Sequence, residues 1–329
     1  MKTCLVTGVA GFIGSHVAKD CLKQGYKVIG VDDLSGGVPT NVPDGVEFIE
    51  GSCGDADLLD RIFTGRKIHY IYHLAAYAAE GLSHFVRVFN YKNNLLSSVA
   101  LINRAVNHDV ECFIFTSSIA VYGKNQLPMS EEMVPLPEDP YGIGKYAVEL
   151  DLKCAHEMFG LNYVIFRPHN VYGENQNIAD KYRNVIGIFM NQILQGMPMS
   201  IFGDGKQTRA FTYVRDISPI IARAPQMPET FNQVFNIGAD RVCSVYDLAG
   251  LVAQAMEVEA KINLLPARNE ILDAYASHEK CRRIFGMNEQ TALLDGLIHM
   301  AKWVKSSGPR STVRFNDIEI RKNLPASWQ

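Results

Sequence analysis

Three glycines within the first fifteen residues, in Thr7-Gly8-Val9-Ala10-Gly11-Phe12-Ile13-Gly14, constrain this chain most tightly. They follow a short apolar run, Cys4-Leu5-Val6, and lead into a helix-like stretch from Ile13 to Gln24. A strand that turns through glycines into a helix lets backbone approach a phosphate, and the first helical turn offers that phosphate unpaired N–H groups. Gly8 suits the tight turn, Gly11 the close approach to a pyrophosphate and Gly14 the contact between helix and strand, with Phe12 and Ile13 in the same cradle. A dinucleotide site also needs an acidic residue at the end of the second strand. Asp32 stands there, in Val31-Asp32-Asp33-Leu34. Its carboxylate can accept both hydroxyls of an adenosine ribose and repels a 2′-phosphate, and no Arg follows closely, so the predicted cofactor is NAD rather than NADP. Asp33 reads equally well as a second contact or as a turn cap.

Further apolar runs repeat the pattern: Val28 to Val31, Val46 to Ile49, Tyr70 to Leu74, Cys112 to Phe115 and Tyr163 to Phe166. Helix-like stretches separate them, notably Phe85 to Asn107 and Tyr146 to Phe159. Continuous apolar strands alternating with helices predict an α/β fold with a doubly wound parallel sheet, a Rossmann arrangement, over residues 1–170. Beyond that the rhythm loosens, which predicts a smaller mixed α/β substrate domain over 171–329. A segment near 211–240, carrying Val234-Phe235-Asn236-Ile237, is expected to return to the first sheet.

Composition narrows the function class. Lys and Arg number 32 against 35 Asp and Glu, a net charge of -3 that argues against nucleic acid as a partner. No apolar stretch reaches the roughly 20 residues needed to span a bilayer, so no membrane partner is expected. The seven cysteines are scattered singly, as in a reduced, cytoplasmic protein without a metal site.

Tyr141 and Lys145, in Tyr141-Gly142-Ile143-Gly144-Lys145, stand four residues apart on one face at the start of a helix. A phenol ionises near pH 10 and needs a neighbouring cation to serve as a base at neutral pH; Lys145 can be that cation. Upstream, Thr116-Ser117-Ser118 would bring hydroxyls to the carboxyl edge of the sheet beside a nicotinamide. Ser118 is the expected partner of a reacting oxygen, while one of the two serines merely ends the strand. Leu74, Ala75 and Ala76 would leave room for the cofactor where the fourth strand ends.

Together these features resemble the extended short-chain dehydrogenase/reductase superfamily, and within it the nucleotide-sugar epimerase/dehydratase group, nearest its UDP-glucose 4-epimerase-like branch. The resemblance runs through TGVAGFIG, VDDLSGG, HLAA, FNYKNN, TSSIAVYG, YGIGK, FRPHNVYG, GDGKQTRAF and PARNE, and so covers nearly the whole chain. It implies a UDP-sugar substrate and transient oxidation at sugar carbon 4. Tyr141 would be the base, Lys145 would lower its pKa and hold the nicotinamide ribose, and Ser118 would assist. Asn94 would lie near the cofactor with Ser117, Asn170 would contact the diphosphate, and Arg209, Arg268 and Glu270 would bind the nucleotide end. The resemblance also implies a homodimer through helices within 85–107 and 141–159.

The departures are as informative. Dehydratases of the group carry an Asp-Glu pair where this chain has Ile119 and Ala120, so water elimination lacks its acid and base. Ser52 replaces an Asp at the adenine edge, and residues 79–84 depart from the usual pattern. Ala274 would leave space for an N-acetyl group, unless the alignment slips and Tyr275 stands there. Lys181 and Arg183 are expected in a solvated loop, with contact to a uronic acid carboxylate as the other reading. Two alternatives stay open: a nucleotide-sugar 4-reductase or dehydrogenase, with His169 as an extra acid, and a UDP-uronic acid epimerase.

Overall fold

A computed structural model describes residues 1–329 except 125, 268–271, 288–289, 312–314, 316, 326–327 and 329. Seven strands, β1 (Thr3–Thr7), β2 (Lys27–Asp32), β3 (Glu47–Glu50), β4 (Tyr70–His73), β5 (Cys112–Thr116), β6 (Tyr163–Pro168) and β7 (Gln233–Ile237), form one sheet in the order β7-β6-β5-β4-β1-β2-β3. Every pairing in it is parallel. The strands read as unbroken apolar runs because helices cover both faces. Cys4 and Val6 point to a core with Val17 and Cys21 on one side, and Leu5 points to Leu59, Phe63 and Leu152 on the other. The chain winds away from β1 in both directions, and a cleft opens at the carboxyl ends of the strands there.

Four helices position the site: α1 (Phe12–Lys23), α2 (Ala56–Phe63), α3 (Ser97–Asn107) and α4 (Pro140–Phe159). The helix expected from Phe85 to Asn107 is instead broken into Arg87–Tyr91, a wider turn over Lys92–Leu96, and α3. Ser97 and Ser98 donate their hydroxyls to the carbonyls of Asn93 and Asn94, competing with the regular ladder there. α4 begins six residues earlier than Tyr146. Pro140 supplies a first helical residue that has no N–H to satisfy, and the Asp139 carboxylate accepts from the Gly142 N–H at 2.9 Å. The helix therefore contains Tyr141 and Lys145, despite the poor helix formers Gly142 and Gly144 between them.

After residue 210, Val214–Arg223 packs on α1, with Ser218 donating to Asp20 at 2.7 Å, and β7 pairs with β6. Helices Val185–Leu194, Val245–Met256 and Leu293–Ser307 build a separate core around Phe189, Leu248 and Met300 beside the cleft. The C-terminal segment folds back: Phe315, Leu324 and Trp328 pack on Leu82, Phe85, Val86 and Phe89. No helix among the described residues is long and apolar enough to cross a membrane.

Candidate active site

The cleft has a volume of about 1490 Å³ and runs from the glycine turn, past the ends of β4 and β5, to the C-terminal elements. At one end Gly8 adopts φ +72°, and a Cβ on Gly14 would come within 1.9 Å of the Gly8 carbonyl oxygen. Only glycine fits at Gly14. α1 begins at Gly11 with no side chain capping it and no acidic residue in its first turn, so its N–H groups stay open to an anion. Asp32 is buried and accepts from the N–H groups of Ala10 at 3.0 Å and Leu34 at 2.8 Å. A carboxylate offers about four acceptor positions, which leaves room for two ribose hydroxyls. These residues fit NAD. The structure leaves Asp33 as a turn cap that accepts from the Ser35 N–H at 2.9 Å, although it also lines the cleft. Phe12, Ile13, Leu74, Ala75 and Ala76 line the same end, with Ser52 at its edge.

Replacing Gly14 with alanine is therefore expected to weaken NAD binding at least about tenfold, since either α1 or the Gly8 turn must move. The NAD content of purified Gly14→Ala protein, after gel filtration, checks this.

Tyr141 and Lys145 project from the first turns of α4 into the middle of the cleft, and both are buried. The Lys145 ammonium donates to the Thr116 carbonyl at 2.8 Å and lies 4.6 Å from the Phe115 ring centroid and 5.9 Å from that of Tyr141. Burial pulls the Lys145 pKa down to about 7, against the opposing pull of Glu149. Burial also pushes the Tyr141 phenol up, with the Glu80 carboxylate adding to the rise and the nearby Ser118 hydroxyl working against it. The protein by itself thus favours a neutral phenol. A cation added to this pocket would favour the phenolate.

Other expected residues divide into two groups. Ser117, Ser118, Asn170 and Arg209 line the cleft. The Ser117 hydroxyl is committed to Glu149 at 2.5 Å, and Arg209 donates to the carbonyls of Thr208 and Leu272 at 2.7 and 2.8 Å. Asn94 does not reach the cleft wall. It clasps the backbone of Tyr77, accepting from the N–H at 2.8 Å and donating to the carbonyl at 3.0 Å, and so shapes the wall from behind. Arg268 and Glu270 lie outside the described residues. His169 lines the cleft but is packed, with Nδ1 3.0 Å from the Ala210 carbonyl and Nε2 2.9 Å from His278. Ala274 lines the cleft and Tyr275 does not. Lys181 and Arg183 line it too, rather than a solvated loop; Arg183 is paired with Asp180 at 2.6 Å and lies over the Tyr77 ring.

The sequence reading missed three features. Glu149, one turn past Lys145, forms a buried pair with Arg167 at 2.5 Å behind the catalytic face. Its spacing from Lys145, four residues along α4, was the available signal. The Thr7 hydroxyl lies 2.7 Å from His73 Nδ1, while His73 Nε2 lies 2.8 Å from the Ser98 hydroxyl, tying β1, β4 and α3 beneath the cofactor end. Glu80 is the third.

Comparison with known proteins agrees with this geometry. The model of the NAD dependent epimerase/dehydratase family matches residues 4–238. The chain belongs to that family. A putative UDP-glucose 4-epimerase of Methanocaldococcus jannaschii is 32% identical over 307 residues, covering 92% of this chain and 98% of the relative. Among solved structures, the UDP-glucose 4-epimerase of Thermotoga maritima with UDP-glucose superimposes with a TM-score of 0.87 at 33% identity, covering 93% of this chain and 99% of that one. The UDP-glucuronic acid 4-epimerase of Bacillus cereus with UDP-glucuronic acid and NAD gives a TM-score of 0.81 at 28% identity, with 93% and 99% covered. Family membership and these full-length relatives make the chain an NAD-dependent nucleotide-sugar epimerase with NAD as its cofactor.

Proposed function

We propose that the protein epimerises a UDP-hexose at carbon 4, acting on UDP-glucose and UDP-galactose or their N-acetylated relatives. The observation that carries this reading is the placing of Tyr141, Ser118 and Lys145 in one cleft with the glycine cradle, while Ile119 and Ala120 replace the acid-base pair a dehydratase needs. The glycine cradle and Asp32 would hold NAD⁺, which would supply reversible hydride chemistry and a positive ring that favours a neighbouring phenolate. Tyr141 takes the proton from the sugar 4-hydroxyl and returns it to the other epimer. Ser118 hydrogen-bonds the same oxygen and keeps it in line with the phenol. Lys145, anchored on the Thr116 carbonyl, stands beside that phenol and the ribose and can donate to either. Asn170 and Arg209 grip the diphosphate and nucleotide, leaving the sugar free to present either face.

Ala274 supports room for an N-acetyl group, because this small side chain is buried in the cleft wall and pairs with Arg209 across two strands. Ala274→Tyr is expected to lower kcat/KM for UDP-N-acetylglucosamine at least about tenfold more than for UDP-glucose. A panel of UDP-glucose, UDP-N-acetylglucosamine and UDP-glucuronate, incubated without added NADH and read by sugar stereochemistry, tests the function. No epimer from any of them would overturn it.

A homodimer through α3 and α4 belongs to the same proposal. Ile143, Leu150 and Cys154 form an exposed stripe along α4, and Leu96 is exposed just before α3. Sedimentation at micromolar concentration tests it.

A further inference from the structure

We infer that Glu80 selects the substrate class of the site proposed above, admitting an uncharged hexose that offers it a hydroxyl or amide N–H and rejecting a uronate. Glu80 opens a single helical turn, Glu80–Ser83, that forms the cleft wall opposite Tyr141. The Ser83 hydroxyl donates to the Glu80 carbonyl at 2.6 Å and lies 3.4 Å from the carboxylate of Asp139, the cap of α4, so the turn sits against the helix that carries Tyr141 and Lys145. From behind, the Trp328 ring closes on Gly81, leaving 3.0 Å to a Cβ placed there. The side chain of Glu80 is accessible through the cleft. Among the described residues no hydrogen bond reaches its carboxylate, so its acceptor positions are open to a ligand.

Two carboxylates, Glu80 and Asp139, stand together at this end of the cleft, whose wall also carries Lys145, Lys181 and Arg209. Asp139 is close enough to raise the Glu80 pKa, with Arg209 acting the other way. His84 lies beside Asp139, and Arg183 also faces Tyr141. Arg183 is neutralised by Asp180. An incoming carboxylate at this end thus meets Glu80 and Asp139 in an enclosed site, where like charges repel strongly. A neutral sugar meets acceptors for its hydroxyls. Enclosure by protein pushes the Glu80 carboxyl up to about 7, so its negative charge grows as pH rises through neutrality.

The inference rests on the epimerase reading, and binding separates the two. The dissociation constants of UDP-glucose and UDP-glucuronate for the NAD-loaded protein are measured by calorimetry at pH 6 and pH 8. In the wild type UDP-glucuronate binds at least 10-fold more weakly at pH 8, and the ratio narrows at pH 6. In Glu80→Gln, which keeps the size of the side chain, the ratio at pH 8 falls at least 5-fold and no longer depends on pH. This flat profile assigns the pH dependence to the Glu80 carboxyl. Equal binding of the two ligands by the wild type, or an unchanged ratio and pH profile in Glu80→Gln, overturns the inference. Selective binding of UDP-glucose without any epimerisation overturns the function and leaves the role of Glu80 standing.

Discussion

Tyr141→Phe is expected to lower kcat at least about 1000-fold while the purified protein keeps its NAD, because the substitution removes one hydroxyl and leaves the cradle intact. The ring remains packed beside Lys145, so a folding defect is not anticipated. Stopped assays for turnover and the absorbance of released cofactor measure the two consequences separately. A variant that retains a tenth of wild-type turnover removes Tyr141 from the role of base. The pH profile gives a second view of the same proton. Glu80 raises the Tyr141 pKa by its negative charge, so Glu80→Gln makes the phenolate easier to form, and the rising limb of kcat against pH moves to lower pH.

The second large effect is on stability. Glu149 and Arg167 are both buried, joined at 2.5 Å with a second contact at 2.9 Å, and Glu149 also accepts the Ser117 hydroxyl. A third Arg167 N–H goes to the Tyr122 hydroxyl at 2.7 Å, which itself donates to Asn236 at 2.8 Å. Glu149→Ala strands the guanidinium in the interior and is expected to cost about 3–5 kcal/mol of unfolding free energy. Replacing both partners together, Glu149→Leu with Arg167→Met, recovers much of that loss because no charge is left unpaired. Urea unfolding of the single and double variants measures the difference. The network also joins α4 to β6 behind Lys145, so the single variant is expected to lower turnover beyond what its instability explains.

Much of this was legible from residue order because local chemistry decided it. The glycine turn, Asp32 and the spacing of Tyr141 and Lys145 each depend on a few neighbouring residues, and the structure puts all of them on one cleft. Where tertiary contacts decide, sequence reading fell short. At the wide turn over Lys92–Leu96, Ser97 and Ser98 serve carbonyls one turn back while Asn94 clasps the backbone of Tyr77, 17 residues away. Glu80 looks like an ordinary surface acid in the sequence. Its place in the cleft follows from Ser83 reaching Asp139 and from Trp328 arriving 247 residues later to close on Gly81. Arg183, expected in solvent, is drawn into the wall by Asp180 and the Tyr77 face.

The central claim is that hydride leaves and returns to the same sugar carbon while Tyr141 carries the proton. The most direct measurement follows UDP-glucose and UDP-N-acetylglucosamine bearing deuterium at carbon 4, incubated with the NAD-loaded protein without added NADH and read by proton and deuterium magnetic resonance. The account predicts the galacto epimer of at least one, with deuterium kept at carbon 4. Epimer that has lost its deuterium to water, or no epimer from either sugar, would contradict it.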